Sequence, residues 1–532
     1  MLWIALAGSA VVIAARALAG PLTWPVTVNF PINAESVFGL ALVLGLLLRA
    51  DAMGAGAEVG RRALNARDAL ALTTIALLAA GVFARSADFY FLSDDFVLLK
   101  HAKTFWTAFP GIFVTPGGDG FYRPLTYLSM ALSAPWADSN PTAWHAIGIL
   151  IHAANSILVF LLARVLGLSR LPAWFAAVLF AVHGTRPEAV AWMAARADLL
   201  ATFFTLTALG CFIRSWEAPG RGGGLYRCVA LIAMMLAFLS KESSYTIPLL
   251  LVVYLAARGA LRHRHGLRNR HGWIALAPFF VAAAAFFAWR WHLFGGVGGY
   301  VDASGRPEAF TWSALPVLKT LGLRLWGILF FPINWTSQPG LLLGLIMIAY
   351  LAAVAWLFTA RPERRAVSVQ LAFLLLLAVP PLQQLLIGAG LQKARLLYLP
   401  SVAFCLLLAT ALEAVKPKAQ WVLAFTMVAF NIAAIFHNLS AWDKASQKAR
   451  AACSVAAACT GRVAVVGLPA SLNGVYFFAN GFPECVELKR SGRSTAVDLR
   501  NSGESVDRAR YSWILSWDAG KDALSPLPYD IH

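Results

Sequence analysis

The sequence predicts an all-α polytopic membrane protein with a small α/β domain at its C-terminal end. Of the 532 residues, 59% are hydrophobic and only 13% are charged, and the mean hydropathy is +0.67. A soluble protein carries about twice that share of charged residues. Many apolar segments are continuous and approach the roughly 20 residues that a helix needs to cross a bilayer. These observations place most of the chain inside a membrane.

The apolar segments predict about thirteen transmembrane helices. They lie at residues 1–19, 34–48, 69–84, 143–162, 171–182, 199–213, 228–239, 245–257, 273–291, 340–358, 367–387, 396–412 and 421–436. Residues 316–331 are also apolar, but Lys319 and Arg324 favour a surface or partly inserted helix there. The first segment ends in a motif that resembles a signal-peptide cleavage site. We expect a retained helix instead, because the basic region that precedes such a signal is missing.

Lysine and arginine residues set the predicted orientation, because they concentrate in cytoplasmic loops. Basic clusters occur at residues 61–62, 258–271, 361–365 and 416–418. Counting the crossings places these clusters on one side of the membrane and Asp94-Asp95 on the other. The basic loops account for the net charge of +18, so we expect no nucleic-acid partner. The composition, rich in alanine and arginine, predicts a bacterial inner membrane with Asp94-Asp95 facing the periplasm.

Three domains follow from this pattern. We predict an N-terminal extension of two membrane helices at residues 1–68, a transmembrane domain at 69–437 with a large outer loop at 88–141, and a small periplasmic α/β domain at 438–532. The last domain contains Cys453, Cys459 and Cys485. An oxidising compartment permits one disulfide among them. Cys453 with Cys459 is one pairing, but the sequence does not fix it.

Two adjacent carboxylates, Asp94 and Asp95, follow the third apolar segment at its outer end. A membrane surface that only needs anchoring favours Trp, Tyr, Lys and Arg. Acidic residues at the edge of a membrane are more often functional. The alternative is a structural turn in which Ser93 and Asp94 cap a short helix over residues 95–103.

Further polar residues occur near the outer ends of later segments. His145, His152 and Asn155 share one helix face by their spacing, although hydrogen bonding between membrane helices would explain them as well. Glu188 and Arg196 are eight residues apart, about two turns, so one helix could carry both on one face.

Cations at three outer junctions face the same side as the carboxylate pair. They are Arg196, Lys241 and Arg395. Any one of them could be a side chain that reaches towards the lipid headgroups. Together with the acidic pair they indicate a base beside an anion site, and phosphate suits arginine and lysine donors.

These residues occur in eight short motifs whose order resembles that of the GT-C superfamily of membrane glycosyltransferases, which use polyprenyl-phosphate sugars. The best match is the TMTC-like branch, related to protein O-mannosyltransferases. The motifs are Asp94-Asp95, Phe121 to Leu125, His145 with His152 to Asn155, Leu179 to His183 with Glu188 to Trp192, Ala195 to Leu200, Ser240 to Glu242, Arg395 to Ser401, and Asn438 with Trp442-Asp443. One departure is Gly184, where the family usually has proline.

The resemblance implies a GT-C-like fold and an inverting transfer at the outer face of the membrane. The donor would be a sugar on polyprenyl monophosphate, and the acceptor a hydroxyl of a lipid, glycan or protein. Asp94 would be the base, and Asp95 would orient the acceptor or support Asp94. Arg196 would hold the donor phosphate with Lys241, Arg395 and Tyr398 as helpers. The supporting residues would be Arg123, His152, His183, Glu188 and Glu242.

The chemistry implied by the resemblance requires no cofactor, because the leaving group carries a single phosphate. A divalent cation beside Asp94-Asp95 is compatible with it. Two other functions compete with this interpretation. One is a transporter or flippase for a lipid-linked sugar, which intramembrane charges would suit. The other is an oligosaccharide ligase that uses a polyprenyl-diphosphate donor.

Overall fold

The computed structural model describes residues 2–19, 34–50, 65–115, 120–217, 221–259, 270–299, 314–385, 387–490 and 496–527. The basic pair at 61–62 and most of the basic loop at 258–271 lie outside these residues. So does the part of the outer loop around residues 116–119.

The chain is mostly helical. Its helices are α1 Leu2–Ala19, α2 Ala34–Arg49, α3 Ala66–Gly81, α4 Asp94–Ala108, α5 Pro124–Ala137, α6 Pro141–Val165, α7 Arg170–Ala181, α8 Pro187–Val190, α9 Arg196–Glu217, α10 Arg221–Phe238, α11 Ile247–Ala257, α12 Arg270–Phe294, α13 Ala314–Lys319, α14 Leu325–Phe330, α15 Leu341–Leu357, α16 Arg364–Ala378, α17 Pro400–Glu413, α18 Pro417–Ala458 and α19 Phe482–Lys489.

Each of the thirteen predicted apolar segments is helical in the structure, with one difference at residues 367–387. Helix α16 ends at Ala378, because Pro380 and Pro381 follow and proline cannot donate to a preceding turn. The ambiguous segment at 316–331 forms α13 and α14, which are joined by a π-helical turn, Thr320–Arg324.

Four helices of the described residues are long and apolar enough to cross a membrane by length and composition. They are Pro141–Val165, Met193–Glu217, His271–Phe294 and Pro417–Ala458. Shorter apolar helices of 10–17 residues accompany them. The chain is therefore a multi-pass membrane protein, and the number of thirteen crossings stays a prediction.

The centre of the transmembrane part is formed by α6, α7, α9 and α17. Helix α6 packs against α3, α7 and α9, and α17 packs against α7 and α16. Residues 172–181 of α7 and 400–412 of α17 are almost entirely buried. Helices that are apolar on every side are expected in such a central position.

The small C-terminal domain follows directly from α18. This helix runs without a break through residue 438, where the domain was predicted to begin, to Ala458. Strands β1 Val463–Val466, β4 Val497–Arg500, β5 Trp513–Asp518 and β6 Ala523–Pro526 form one sheet in the order β4-β1-β5-β6. Strand β1 is parallel to β4 and β5, and β6 is antiparallel to β5. A hairpin of β2 Ser471–Leu472 and β3 Val475–Tyr476 lies beside it.

A disulfide joins the C-terminal domain to α18. It links Cys453 of α18 to Cys485 of α19, with 5.9 Å between the Cα atoms. The pairing of Cys453 with Cys459 considered from the sequence is therefore not the one in the structure. Cys459 lies at the C-terminal end of α18 and remains a buried free thiol.

The predicted orientation has a direct test by topology mapping. A reporter inserted between residues 262 and 270 should be cytoplasmic, and one fused after His532 should be periplasmic. The reason is the basic charge of the first segment and the counted crossings between the two points. Finding both reporters on one side would move Asp94 to the wrong face of the membrane.

Candidate active site

A cavity of about 1320 Å³ lies at one end of the transmembrane part. Its lining includes eight acidic or basic residues: Asp94, Arg123, Asp198, Lys241, Glu242, Arg290, Arg395 and Glu484. Apolar side chains also line it, among them Val97, Leu98, Phe105, Met130, Phe287 and Leu382. The cavity therefore offers both charged and apolar contacts to a ligand.

Asp94 is the first residue of α4, and a tight turn at Ser93 places it in the cavity wall. Ser93 has φ 48°, a conformation that costs about 1–3 kcal/mol in a non-glycine residue. Its backbone N–H donates to Phe477 O at 2.9 Å. Its Oγ accepts from the N–H of Asn480 at 3.3 Å. Ser93 makes no side-chain capping bond to α4, so the structural reading of a serine-capped turn does not hold.

The carboxylate of Asp94 is held on one side only. Its Oδ1 accepts from Asn480 Nδ2 at 2.8 Å and lies 3.4 Å from Ser93 Oγ. Within the part of the chain that the structure describes, no donor contacts Oδ2. Asp94 is half-buried and lines the cavity, so it keeps an oxygen that can accept a proton.

Asp95 lies in a different environment from its neighbour. It is 1% exposed, and its two oxygens accept from Leu92 N at 3.1 Å and Ala194 N at 2.8 Å. Burial raises the pKa of Asp95 to about 8, despite these bonds. Asp95 does not line the cavity. The structure thus gives no acceptor-orienting position to Asp95, which instead fastens the turn that carries Asp94.

Three cations in the cavity wall are each paired with a carboxylate. Lys241 Nζ donates to Asp198 Oδ2 at 2.6 Å, and Arg123 Nη2 donates to Glu242 Oε2 at 2.7 Å. Arg395 pairs with the buried carboxylate of Glu188. Its guanidinium also lies 4.7 Å from the ring centroid of Trp192 and 5.4 Å from that of Tyr476. Two of the predicted phosphate-binding cations, Lys241 and Arg395, thus lie in the cavity wall with Arg123 and Glu242, which were predicted as supporting residues.

A fourth cation, Arg290 near the C-terminal end of α12, was not predicted. It is 6% exposed, and Nη1 donates to the carbonyl of Val297. No carboxylate contacts it among the residues described, and its Nε has no partner there. No separate signal in the sequence pointed to Arg290, because a single arginine at a helix end is common in membrane proteins.

Arg196, predicted as the main phosphate ligand, lies outside the cavity wall. It is 2% exposed and its Nη1 donates to Ser133 Oγ at 3.1 Å. Its guanidinium lies 4.9 Å from the ring centroid of Trp144. The expectation of one helix through Glu188 and Arg196 was wrong, since α8 ends at Val190 and α9 begins at Arg196. This break turns Arg196 towards α5 and α6.

The remaining predicted residues lie in the core. The hydroxyl of Tyr398 contacts His152 Nδ1 at 2.7 Å and Asn155 Nδ2 at 3.2 Å. His183 contacts Thr185 Oγ1 at 2.9 Å and Leu329 O at 2.8 Å. None of these four side chains lines the cavity. They hold helices together, as the interhelical alternative expects, and Tyr398 is not placed to contact a phosphate.

A change at Arg196 separates a structural role from a ligand-binding one. Arg196→Gln should lower the melting temperature, because it removes the hydrogen bond to Ser133 Oγ and the contact with the Trp144 ring in a buried position. The KM for donor should stay within about twofold of wild type, since Arg196 does not reach the cavity. Thermal unfolding and steady-state kinetics would measure both, and a tenfold rise in KM at normal stability would restore Arg196 to the phosphate site.

A divalent cation fits this site poorly. Within the described residues there is no group of three or more His, Cys, Asp and Glu that could hold a metal ion. Both oxygens of Asp95 already accept backbone N–H groups. No step below passes through a metal.

One cavity thus holds the carboxylate of Asp94, four cations and apolar side chains. The resemblance to GT-C membrane glycosyltransferases implied a base and phosphate-binding cations at one site. Comparison with known proteins points in the same direction. The chain is 35% identical over 137 residues to protein O-mannosyl-transferase Tmtc1 of Drosophila melanogaster, which is 26% of this chain and 16% of that protein. Over 467 residues it is 24% identical to TMTC4 of Mus musculus, which is 70% of this chain and 60% of that protein.

These relatives confirm the resemblance to TMTC-like membrane glycosyltransferases that the motifs predicted. The chain spans less than two thirds of the length of the relatives it matches. No family model matches the chain.

Two kinds of solved structure are similar. The oligosaccharyltransferase of Archaeoglobus fulgidus aligns at 14% identity and a TM-score of 0.47, over 81% of this chain and 62% of that one. ArnT of Cupriavidus metallidurans aligns at 16% identity and a TM-score of 0.41, over 83% of this chain and 87% of that one.

Proposed function

We propose that the protein transfers a sugar from a polyprenyl-phosphate donor to an acceptor hydroxyl, at the outer face of a bacterial inner membrane. The observation that carries this proposal is the cavity that Asp94 lines together with Arg123, Lys241, Arg290 and Arg395. Among the described residues, one oxygen of Asp94 has no hydrogen-bond donor. The relatives, named protein O-mannosyltransferases, support the reaction class.

Asp94 acts as the general base. The acceptor hydroxyl donates its proton to Asp94 as its oxygen attacks C1 of the sugar. The bond between C1 and the phosphate oxygen breaks with its electrons on the phosphate, and the configuration at C1 inverts. A positioned base of this kind contributes about 10²- to 10⁴-fold to the rate.

The donor phosphate binds to the cations of the cavity wall. Lys241 donates one of its three N–H groups to Asp198, which leaves two for a phosphate. Arg395 and Arg123 likewise keep N–H groups that the carboxylates do not use. The acids hold the cations in fixed positions, which lets them stabilise charge that builds on the departing phosphate without reorganising. Arg290 has no carboxylate partner among the described residues, so no ion pair there offsets its charge. This set replaces Arg196 and Tyr398 in the predicted phosphate site.

The apolar side chains of the cavity receive the polyprenyl chain. They include Phe105, Met130, Phe287 and Leu382, and each isoprene unit gains about 25 cal/mol for every Å² that leaves water. A cavity lined by both cations and apolar side chains suits a phosphate that carries a long hydrocarbon. The acceptor approaches Asp94 from the side of the C-terminal domain, where Asn480 and Glu484 complete the wall. It is a lipid, a glycan or a protein.

The experiment that tests the function uses full-length protein in lipid nanodiscs. Mannosyl-phosphate-polyprenol, the matching diphosphate donor and a bacterial envelope extract as acceptor source are supplied in separate combinations. The proposal expects sugar transfer from the monophosphate donor only, and only with acceptor. Transfer from the diphosphate donor alone would favour the ligase. Movement of intact donor between the leaflets of sealed proteoliposomes, with no cleavage of the C1–O bond, would favour the flippase.

A further inference from the structure

The C-terminal domain touches the turn that carries Asp94. We propose that this domain completes the active site and that Asn480 is a positioning residue for Asp94. The inference rests on the proposed role of Asp94 as base. Neither Asn480 nor any other residue of the domain was among the predicted site residues, since 386 positions separate Asn480 from Asp94 in the chain.

The hydrogen bond from Asn480 selects one orientation of the Asp94 carboxylate. The χ2 torsion of an aspartate is broad and nearly two-fold, so an unrestrained carboxylate samples many orientations. Asn480 Nδ2 donates to Oδ1 at 2.8 Å, and bonds to an ionised acceptor are stronger than neutral ones. With Oδ1 held, Oδ2 is the oxygen left to receive the acceptor proton.

The loop that carries Asn480 fits the Ser93 turn closely. The carbonyl of Phe477 and the N–H of Asn480 both bond to Ser93. The next residue, Gly481, has φ +80°, and a Cβ built on it would lie 2.3 Å from Ser93 O. Only glycine allows this approach. The loop is therefore shaped to hold Ser93 and Asn480 in register.

Three further contacts hold this loop in place. The N–H of Cys485 donates to Gly481 O at 2.9 Å, and the disulfide to Cys453 fastens that turn of α19 to α18. Asn334 Nδ2 donates to Asn473 O at 2.9 Å on the other side of the loop. The position of Asn480 is thus fixed from both ends, which a side chain that positions a catalytic group needs.

The test compares Asn480→Ala and Asn480→Leu in full-length protein in nanodiscs, with mannosyl-phosphate-polyprenol as donor. Leucine is close to asparagine in size but donates no hydrogen bond. Both variants should lower kcat about tenfold with the donor KM within twofold of wild type. Asn480 is exposed, so the melting temperature should not change. A packing role would instead predict that leucine keeps the wild-type kcat.

The matched control removes a contact between the same two elements. Lys100 of α4 and Glu487 of α19 form an exposed ion pair at 2.9 Å, and the Lys100→Ala/Glu487→Ala double variant should keep kcat within twofold. Asp94→Asn is run beside it. If Asp94→Asn is inactive while both Asn480 variants turn over normally, the positioning role is wrong and the proposed function stands. If Asp94→Asn is itself active, Asp94 is not the base and the positioning role of Asn480 falls with it. If the wild-type protein transfers no sugar in this assay, the proposed function fails.

Discussion

Replacing Asp94 by asparagine should lower kcat for sugar transfer by at least about a hundredfold, while the donor KM stays near the wild-type value. Asparagine keeps the size of the side chain and removes its basicity. Asp94 is half-buried, and within the described part of the chain its side chain bonds only to Asn480 and Ser93, so the variant should fold normally. Steady-state kinetics with a polyprenyl-phosphate sugar, together with thermal unfolding, would measure both quantities.

Asp95→Asn is the control for this prediction. Its amide nitrogen cannot accept, so either the N–H of Leu92 or that of Ala194 would lose its partner in a buried site. An unsatisfied buried donor costs about 1–3 kcal/mol. Asp95→Asn should therefore destabilise the protein more than Asp94→Asn does. A well-folded Asp94→Asn protein with near-normal transfer would contradict the assignment of the base.

Lys241→Gln should raise the donor KM by about tenfold or more and also lower kcat, because a cation that binds phosphate acts in both the ground state and the transition state. It should destabilise the protein as well. Asp198, its partner, has a side chain only 6% exposed, and a buried charge without a partner costs about 3–5 kcal/mol.

The double variant Lys241→Gln/Asp198→Asn separates the two effects. Removing both charges leaves neither member of this pair as an unpartnered buried ion, so the free energy of unfolding should return close to wild type. The donor KM should stay high, because the phosphate ligand is still missing. Recovery of the donor KM along with stability would mean that Lys241 serves only the fold, and the phosphate site would then lie at Arg395, Arg123 and Arg290.

The positions of the helices could be predicted from the sequence because long apolar segments have few alternatives to a helix in a membrane. The end of α16 was the exception, since the hydrophobic residues continue past Pro380 and Pro381 although the helix cannot. That Asp94 belongs to a candidate site could be predicted for a similar reason. A carboxylate at the end of a membrane helix has few structural uses.

The direction of the other polar side chains was not predictable in the same way. Arg196 follows a break in the helix whose phase the sequence does not reveal, and a change of a few residues in that break would turn it by a third of a circle or more. Tyr398 lies two residues before α17 begins. From there its side chain could reach either the cavity or the core, and the sequence does not say which. Asn480 depends on a contact between distant parts of the chain, and an Asn-Gly pair in isolation indicates only a turn.

Because α18 is unbroken, it fixes the rotation and height of the C-terminal domain relative to the membrane domain, which a loop connection would not do. Its 42 residues form a continuous helix about 60 Å long. The sheet of the C-terminal domain follows directly from the end of this helix. One residue inserted into α18 between the membrane domain and the sheet would rotate the C-terminal domain by about 100° and shift it along the helix axis by about 1.5 Å. Asn480 would then leave the Asp94 turn. A flexible linker would accept insertions of any length between the membrane domain and the sheet. In α18, an insertion should be tolerated only if it keeps the rotation of the domain about the helix axis.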